Sequence, residues 1–229
     1  GRVFIMRIPD KNTLLEQGRD YLSCSLDLLA TLPSLPLSEL VAGRTALILV
    51  DLVEGFAREG ALASLRVEAL LPGAAALTAR CAAAGMEIVV LADCHTPDSL
   101  ELGSYPSHCL RGTSEARLCR EIEAAAGPYT LIEKNSTNGL LEPAFDSWRR
   151  SAPGIDTYLV AGDCTDICIQ QFAVAAKAWH NTRNLPLRVI VPLSLVDTFD
   201  ADGHPADLLG VLSLMTMQSG GVELVRDIV

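Results

Sequence analysis

Apolar residues gather along this chain in short dense runs, separated by longer stretches in which they recur at helical spacing. The clearest run is Thr45-Ala46-Leu47-Ile48-Leu49-Val50, which is apolar throughout after its threonine. A continuous apolar run of strand length is what a strand covered on both faces requires. Comparable runs at 86–92, 129–133, 157–160, 187–191 and 222–225 predict five more strands. Helical patterns occupy 13–30, 70–84, 114–126, 143–150, 169–179 and a final stretch opened by Asp202 or Gly203. Local signals set their expected ends. Pro72 falls in the first turn of the second helix and Gly85 closes it. Thr113 or Ser114 opens the third, and Gly127-Pro128 ends it. Pro205 falls in the first turn of the last, which stops at Gly220-Gly221. Strands alternating with helices imply an α/β fold: three layers, with a six-stranded, mostly parallel sheet and helices on both faces. Residues 1–40, broken by Pro33 and Pro36, are expected to form an N-terminal helical extension packed on the core. They are too short to hold a core of their own. Residues 41–229 make up the main domain.

The residues that end these strands change the picture. Asp51 follows the first run, Asp93-Cys94-His95 the second and Lys134 the third. The fourth leads into Gly162-Asp163-Cys164-Thr165-Asp166-Ile167-Cys168. In a parallel sheet the carboxyl ends of the strands share one edge, where open α/β sheets keep their sites. Capping alone would favour Asp, Asn, Ser and Gly there, not Lys and Cys as well. Thr165 or Asp166 is the expected N-cap of the following helix, with Cys168 in its first turn. Unpaired N–H groups and the helix dipole at that place favour a thiolate. The stretch on its own fits equally a small buried cysteine closing a helix start.

Two constellations follow. Asp51, Lys134 and Cys168 supply a base, a cation and a nucleophile, the set needed for acyl transfer from an amide through a thioester. The plainer reading is an Asp–Lys ion pair beside an inert cysteine. Asp93, His95, Glu101 and His108 form a mixed imidazole and carboxylate set suited to one divalent ion, Zn, Fe or Mn. Only four histidines occur in the chain, and two fall in this stretch. Cys94 and Cys109 are nearby rivals as ligands and rank lower. His204 has no local partner and reads as a loop or helix-start residue.

Composition narrows the setting. The 229 residues suit one large domain, and a net charge of -10 argues against nucleic acid or an anionic membrane as the main partner. Seven scattered cysteines are not a disulfide framework, so a reducing cytoplasm is the expected location. Neither a membrane-spanning run nor a secretory signal is expected.

At this point the residues resemble the isochorismatase-like cysteine hydrolases over roughly residues 44–228. The Asp after strand one, the Lys after strand three and the Thr-Asp-x-Cys turn are similar to that superfamily's nucleophile triad. Asp93-x-His95, Glu101 and Tyr105-Pro106-Ser107-His108-Cys109-Leu110-Arg111-Gly112-Thr113 resemble the metal loop of its nicotinamidase branch. The resemblance implies that Cys168 attacks the carboxamide of nicotinamide, that Asp51 shuttles protons and that a metal holds the pyridine nitrogen and ordered water. It also implies a place in NAD salvage. An oxyanion hole from the N–H groups of Cys164 and Cys168, a cis peptide at Asp163–Cys164, aromatic substrate contacts from Phe56 and Tyr105, and a homo-oligomer complete what it implies. The chain departs from the branch in several places, among them Cys164, where a small apolar residue usually precedes the Thr-Asp pair, and a longer N-terminal extension. Asn135 to Leu141 is more polar, Leu141 stands where an aromatic residue is common, and Asp163 adds a charge beside the turn. Related hydrolases of another small amide or a ureido (carbamoyl) compound are the alternative. A non-catalytic binding member of the fold is disfavoured by the intact triad.

Overall fold

The structure, a computed structural model, describes residues 8–229. The first seven residues of the expected 1–40 extension lie outside the described residues. The helices are α1 (Lys11–Ala30), α2 (Glu54–Ala57), α3 (Leu65–Ala83), α4 (Arg120–Ala126), α5 (Pro143–Ser151), α6 (Gln170–Asn181) and α7 (Ala206–Ser219). The strands are β1 (Thr45–Val50), β2 (Glu87–Asp93), β3 (Thr130–Lys134), β4 (Thr157–Asp163), β5 (Arg188–Pro192), β6 (Val196–Asp197) and β7 (Glu223–Val225). The sheet runs β3-β2-β1-β4-β5-β7, and every pairing is parallel. The seventh strand, which the sequence does not announce, is the two-residue β6. It pairs with the end of β4 through Gly162 and Asp163.

Strand alternation sorts the core into two layers. Leu47 and Leu49 of β1 face α3 and α4, meeting Leu71, Leu77 and Ile122. Ala46, Ile48 and Val50 face α5, α6 and α7, meeting Phe145, Phe172 and Met217. Asp10 caps α1, its carboxylate accepting the Thr13 N–H at 2.9 Å. Of the leucines that predict α1, only Leu29 is buried, while Leu14, Leu15 and Leu26 stay exposed. The chain then runs beside its own C-terminus, with the Leu35 N–H donating to Asp227 at 2.8 Å and the Leu37 N–H to Val229 at 2.7 Å.

Three expected boundaries move. The α3 helix starts at Leu65, capped by Ser64, so Pro72 lies inside it rather than in its first turn. The expected 114–126 helix shrinks to α4. Its first residues spend their backbone groups on the segment after β1: Glu54 and Gly55 donate to Arg117 and Glu115, and Cys119 donates to Leu52, all at 2.9 Å. Pro205 immediately precedes α7 instead of sitting in its first turn.

Candidate active site

Four parallel strands deliver their terminal residues to one edge. β1 ends before Asp51, β2 at Asp93, β3 at Lys134 and β4 at Asp163. Register aligns Asp93 with Lys134 and Val50 with Gly162. Asp51 turns the chain in the left-handed region, at φ 54, a conformation Asp tolerates better than most residues. Gly162 is required where it stands. Its φ is +125, and a Cβ there would lie 2.0 Å from the Val50 carbonyl oxygen. The Asp163–Cys164 peptide is cis.

Lys134 is the hub of the first group and is wholly buried. Its Nζ lies 2.8 Å from Asp51 Oδ2 and 3.6 Å from Cys168 Sγ, and it also contacts Asp93 Oδ1. Asp51 Oδ1 accepts the Asp93 backbone N–H at 2.9 Å. The structure therefore brings Asp51, Lys134 and Cys168 together. Burial raises the Asp51 carboxyl to about 7, aided by Asp93 and opposed by Lys134. For Asp93, burial also acts upward, but Lys134 and the two histidines hold it below the usual carboxylate range. Burial would lower Lys134, yet Asp51 and Asp93 raise it above the ordinary lysine range.

Cys168 departs from expectation. It is 5% exposed, and burial pushes its thiol well above the ordinary value, with Lys134 pulling the other way. Desolvation of a thiolate in this apolar setting outweighs what a helix start contributes. The capping expectation also changes. Residues Thr165–Ile169 form a π-helical turn, a widening of the helix frequent at functional sites. No side chain caps that turn, because Asp166 points instead to His204, 2.8 Å away.

The second group converges as well. One ligand atom from each of Asp93, His95, Glu101 and His108 lies within 4.8 Å of the others. The Nε2 atoms of His95 and His108 are 3.1 Å apart, and each is 3.4 Å from Asp93 Oδ2. His95 Nδ1 faces Asn135 Oδ1 at 3.3 Å, and His108 Nδ1 faces the Pro106 carbonyl at 2.7 Å. Both outer nitrogens thus carry the hydrogen in neutral rings. That leaves two Nε2 lone pairs converging with carboxylate oxygens, an arrangement that fits a divalent cation. Glu101 is steadied by the Thr137 N–H, which donates to its Oε2 at 2.9 Å. The rival Cys94 and Cys109 stay outside the cluster, with Cys109 packed against Gly55.

Between the two groups lies a narrow cavity with about 30 Å³ of free space. Phe56, Tyr105, His108, Cys164 and Cys168 line it, so both aromatic residues singled out in the sequence share the cavity with Cys168. Phe199 lines it too, and sequence reasoning missed it, because nothing local marks the loop after β6. Asn135 was also missed, although it adjoins Lys134. His204 has no local partner, as expected of a loop residue, but it meets a distant one, Asp166, 38 residues away. Asp163 is buried beside the cavity, its Oδ2 unpaired, and burial raises its carboxyl well above the ordinary value.

Similar proteins are found both by sequence and by structure. Nicotinamidase 1 of Arabidopsis thaliana is 27% identical over 210 residues, covering 80% of this chain and 85% of that protein. The N-carbamoylsarcosine amidase of Thermoplasma acidophilum superposes with a TM-score of 0.64 at 27% identity, covering 80% of this chain and 96% of that one. The pyrazinamidase of Pyrococcus horikoshii, solved in complex with zinc, shares the fold with a TM-score of 0.63 at 19% identity, covering 80% and 99%. The isochorismatase domain matches residues 45–211, and with the strand-end triad in place the chain belongs to the isochorismatase-like hydrolases.

Proposed function

We propose that the protein is a metal-assisted cysteine amidohydrolase that converts nicotinamide to nicotinate and ammonia through a Cys168 thioester. The observation that carries this reading is the single Lys134 ammonium, set against Asp51, Asp93 and the Cys168 sulfur at once. It joins a proton acceptor, a nucleophile and the four-ligand cluster in one buried unit.

Asp51, poised near neutrality, takes the thiol proton as sulfur attacks the amide carbon. Lys134 offsets the charge on sulfur and carboxylate. The oxyanion is directed to the backbone N–H groups of Cys164 and Cys168. Asp51 returns its proton to the leaving nitrogen, which departs as ammonia and leaves the acyl group on sulfur. A water then attacks the thioester, giving its proton to Asp51, and the carboxylate product leaves as the thiol is restored. Phe56 and Tyr105 hold the flat ring. Asp93, His95, Glu101 and His108 would hold one divalent ion, Zn, Fe or Mn, which supplies a Lewis-acid site at the pocket edge. The zinc of the Pyrococcus pyrazinamidase supports that assignment.

A ureido substrate is the second reading, favoured by the equal 27% identity to the carbamoylsarcosine amidase. Ammonia release from nicotinamide and from N-carbamoylsarcosine, with wild type, Cys168→Ala and chelator-treated protein side by side, decides between them. Release from nicotinamide that is lost in both controls supports the proposal. Release from the ureido compound alone, unaffected by chelator, replaces it.

A further inference from the structure

The 198–205 loop between β6 and α7 carries Phe199 into the wall of the cavity that holds Cys168. The loop is rooted at both ends. At its start, Arg66 Nη2 donates to Asp197 Oδ1 at 2.8 Å. At its finish, the Ala206 N–H donates to Asp200 Oδ1 at 2.9 Å. Between these roots the His204 side chain makes three contacts, while its backbone pairs with Ala201. Its ring stacks on Phe199, with centroids 3.8 Å apart and planes 9° from parallel. Its Nδ1 donates to the Phe199 carbonyl at 2.9 Å. Its Nε2 lies 2.8 Å from Asp166 Oδ2, and Asp166 stands two residues before Cys168 in the π-helical turn. A carbonyl only accepts, so Nδ1 holds a hydrogen. The opposite ring nitrogen, Nε2, is the one turned to Asp166. One side chain thus fixes both the ring and the carbonyl of Phe199 and ties them to the nucleophile's turn.

We propose that Phe199 contacts substrate and that His204 is its positioning residue, clasping the 198–205 loop to the Thr165–Ile169 turn so that the Phe199 ring forms a fixed wall beside Cys168 for a flat aromatic amide. The proposal rests on the reading of Cys168 as the nucleophile of an amidohydrolase. It adds a third aromatic residue to Phe56 and Tyr105, and assigns a role to a histidine outside the metal cluster.

The test uses the full chain with His204→Ala, His204→Gln, Phe199→Ala and the His204→Ala/Phe199→Ala double variant, each checked for folding by thermal unfolding. Two readouts are taken. The first is KM and kcat for nicotinamide. The second is the rate of Cys168 alkylation by iodoacetamide, located by peptide mass spectrometry. His204→Ala should raise KM at least about fivefold while kcat stays within about threefold, the split of lost substrate positioning rather than lost chemistry. Phe199→Ala should reproduce it, and the double variant should be no worse than Phe199→Ala, because both act through one wall. His204→Gln, whose amide can still donate to Asp166, should recover most of the loss. Alkylation should quicken at least about fivefold in both single alanine variants, since Cys168 is buried behind that wall. A KM within twofold of wild type in His204→Ala, or full additivity in the double variant, overturns the clasp. If wild type does not hydrolyse nicotinamide, that substrate falls and the alkylation arm decides alone: unchanged rates in both single alanine variants overturn the clasp, and quickened rates uphold it.

Discussion

Asp51 and Asp93 stand at the ends of neighbouring strands, both buried, both against the same lysine, yet they behave in opposite ways. Asp51 is raised to about 7, whereas Asp93 is held below the usual carboxylate range. The lysine is common to both, so their other neighbours decide. Beside the lysine, the contacts of Asp93 with His95 and His108 act to lower it. Asp51 faces the thiol of Cys168, which lowers it far less, and Asp93 itself repels it. A permanent anion is suited to holding a metal, and a carboxyl balanced near neutrality to moving protons. One ammonium thus stands between a carboxylate held low and a carboxyl raised to about 7.

The comparison breaks most sharply at the nucleophile. Cys168→Ala should lower amide hydrolysis by at least about 10⁴-fold while leaving bound metal unchanged, because sulfur belongs only to the Asp51 side. Hydrolysis assays beside metal analysis check both halves, and loss of metal together with activity would mean the two groups are one. Removing the shared cation should harm both. Lys134→Met removes the ammonium the two buried carboxylates share and should cost about 3–5 kcal/mol, read as a shift of the urea unfolding midpoint. The Asp93 side can be weakened alone through Asn135, which faces His95 Nδ1 at 3.3 Å. Asn135→Ala should reduce metal affinity by about 10–100-fold in competition with a chelator, with Cys168 alkylation unaffected. The smallest effect is in pH. Asp51 must be unprotonated to accept the thiol proton, so kcat/KM should fall as pH drops through about 7, approaching tenfold per unit below it. A flat profile between pH 5 and 8 would remove Asp51 as the base.

Asp51, Lys134 and Cys168 are legible in the sequence because each follows an apolar run, and parallel strands must end on one edge. The Asp93, His95, Glu101 and His108 cluster is legible because its members fall within one short stretch. Where the helices begin is less so: Ser114 and its neighbours look like a helix start, but Gly55 and Leu52 claim the backbone groups that a helix would use. The same holds for Asp166, a plausible cap by type that is taken by a histidine 38 residues away.

From the sequence alone came the strand order's raw material, the delivery of ionisable groups to the strand ends, and the family. The first two rest on periodicity and residue type, which are local properties, and the family rests on the resemblance of its motifs. Tertiary structure decided the rest: the raised thiol of Cys168, the opposite shifts of Asp51 and Asp93, Phe199 in the cavity lining and the contacts of His204 with Phe199 and Asp166. Each depends on which groups are driven out of water beside one another. Desolvation and charge pairing act between residues far apart in sequence, and no window of neighbouring residues contains them.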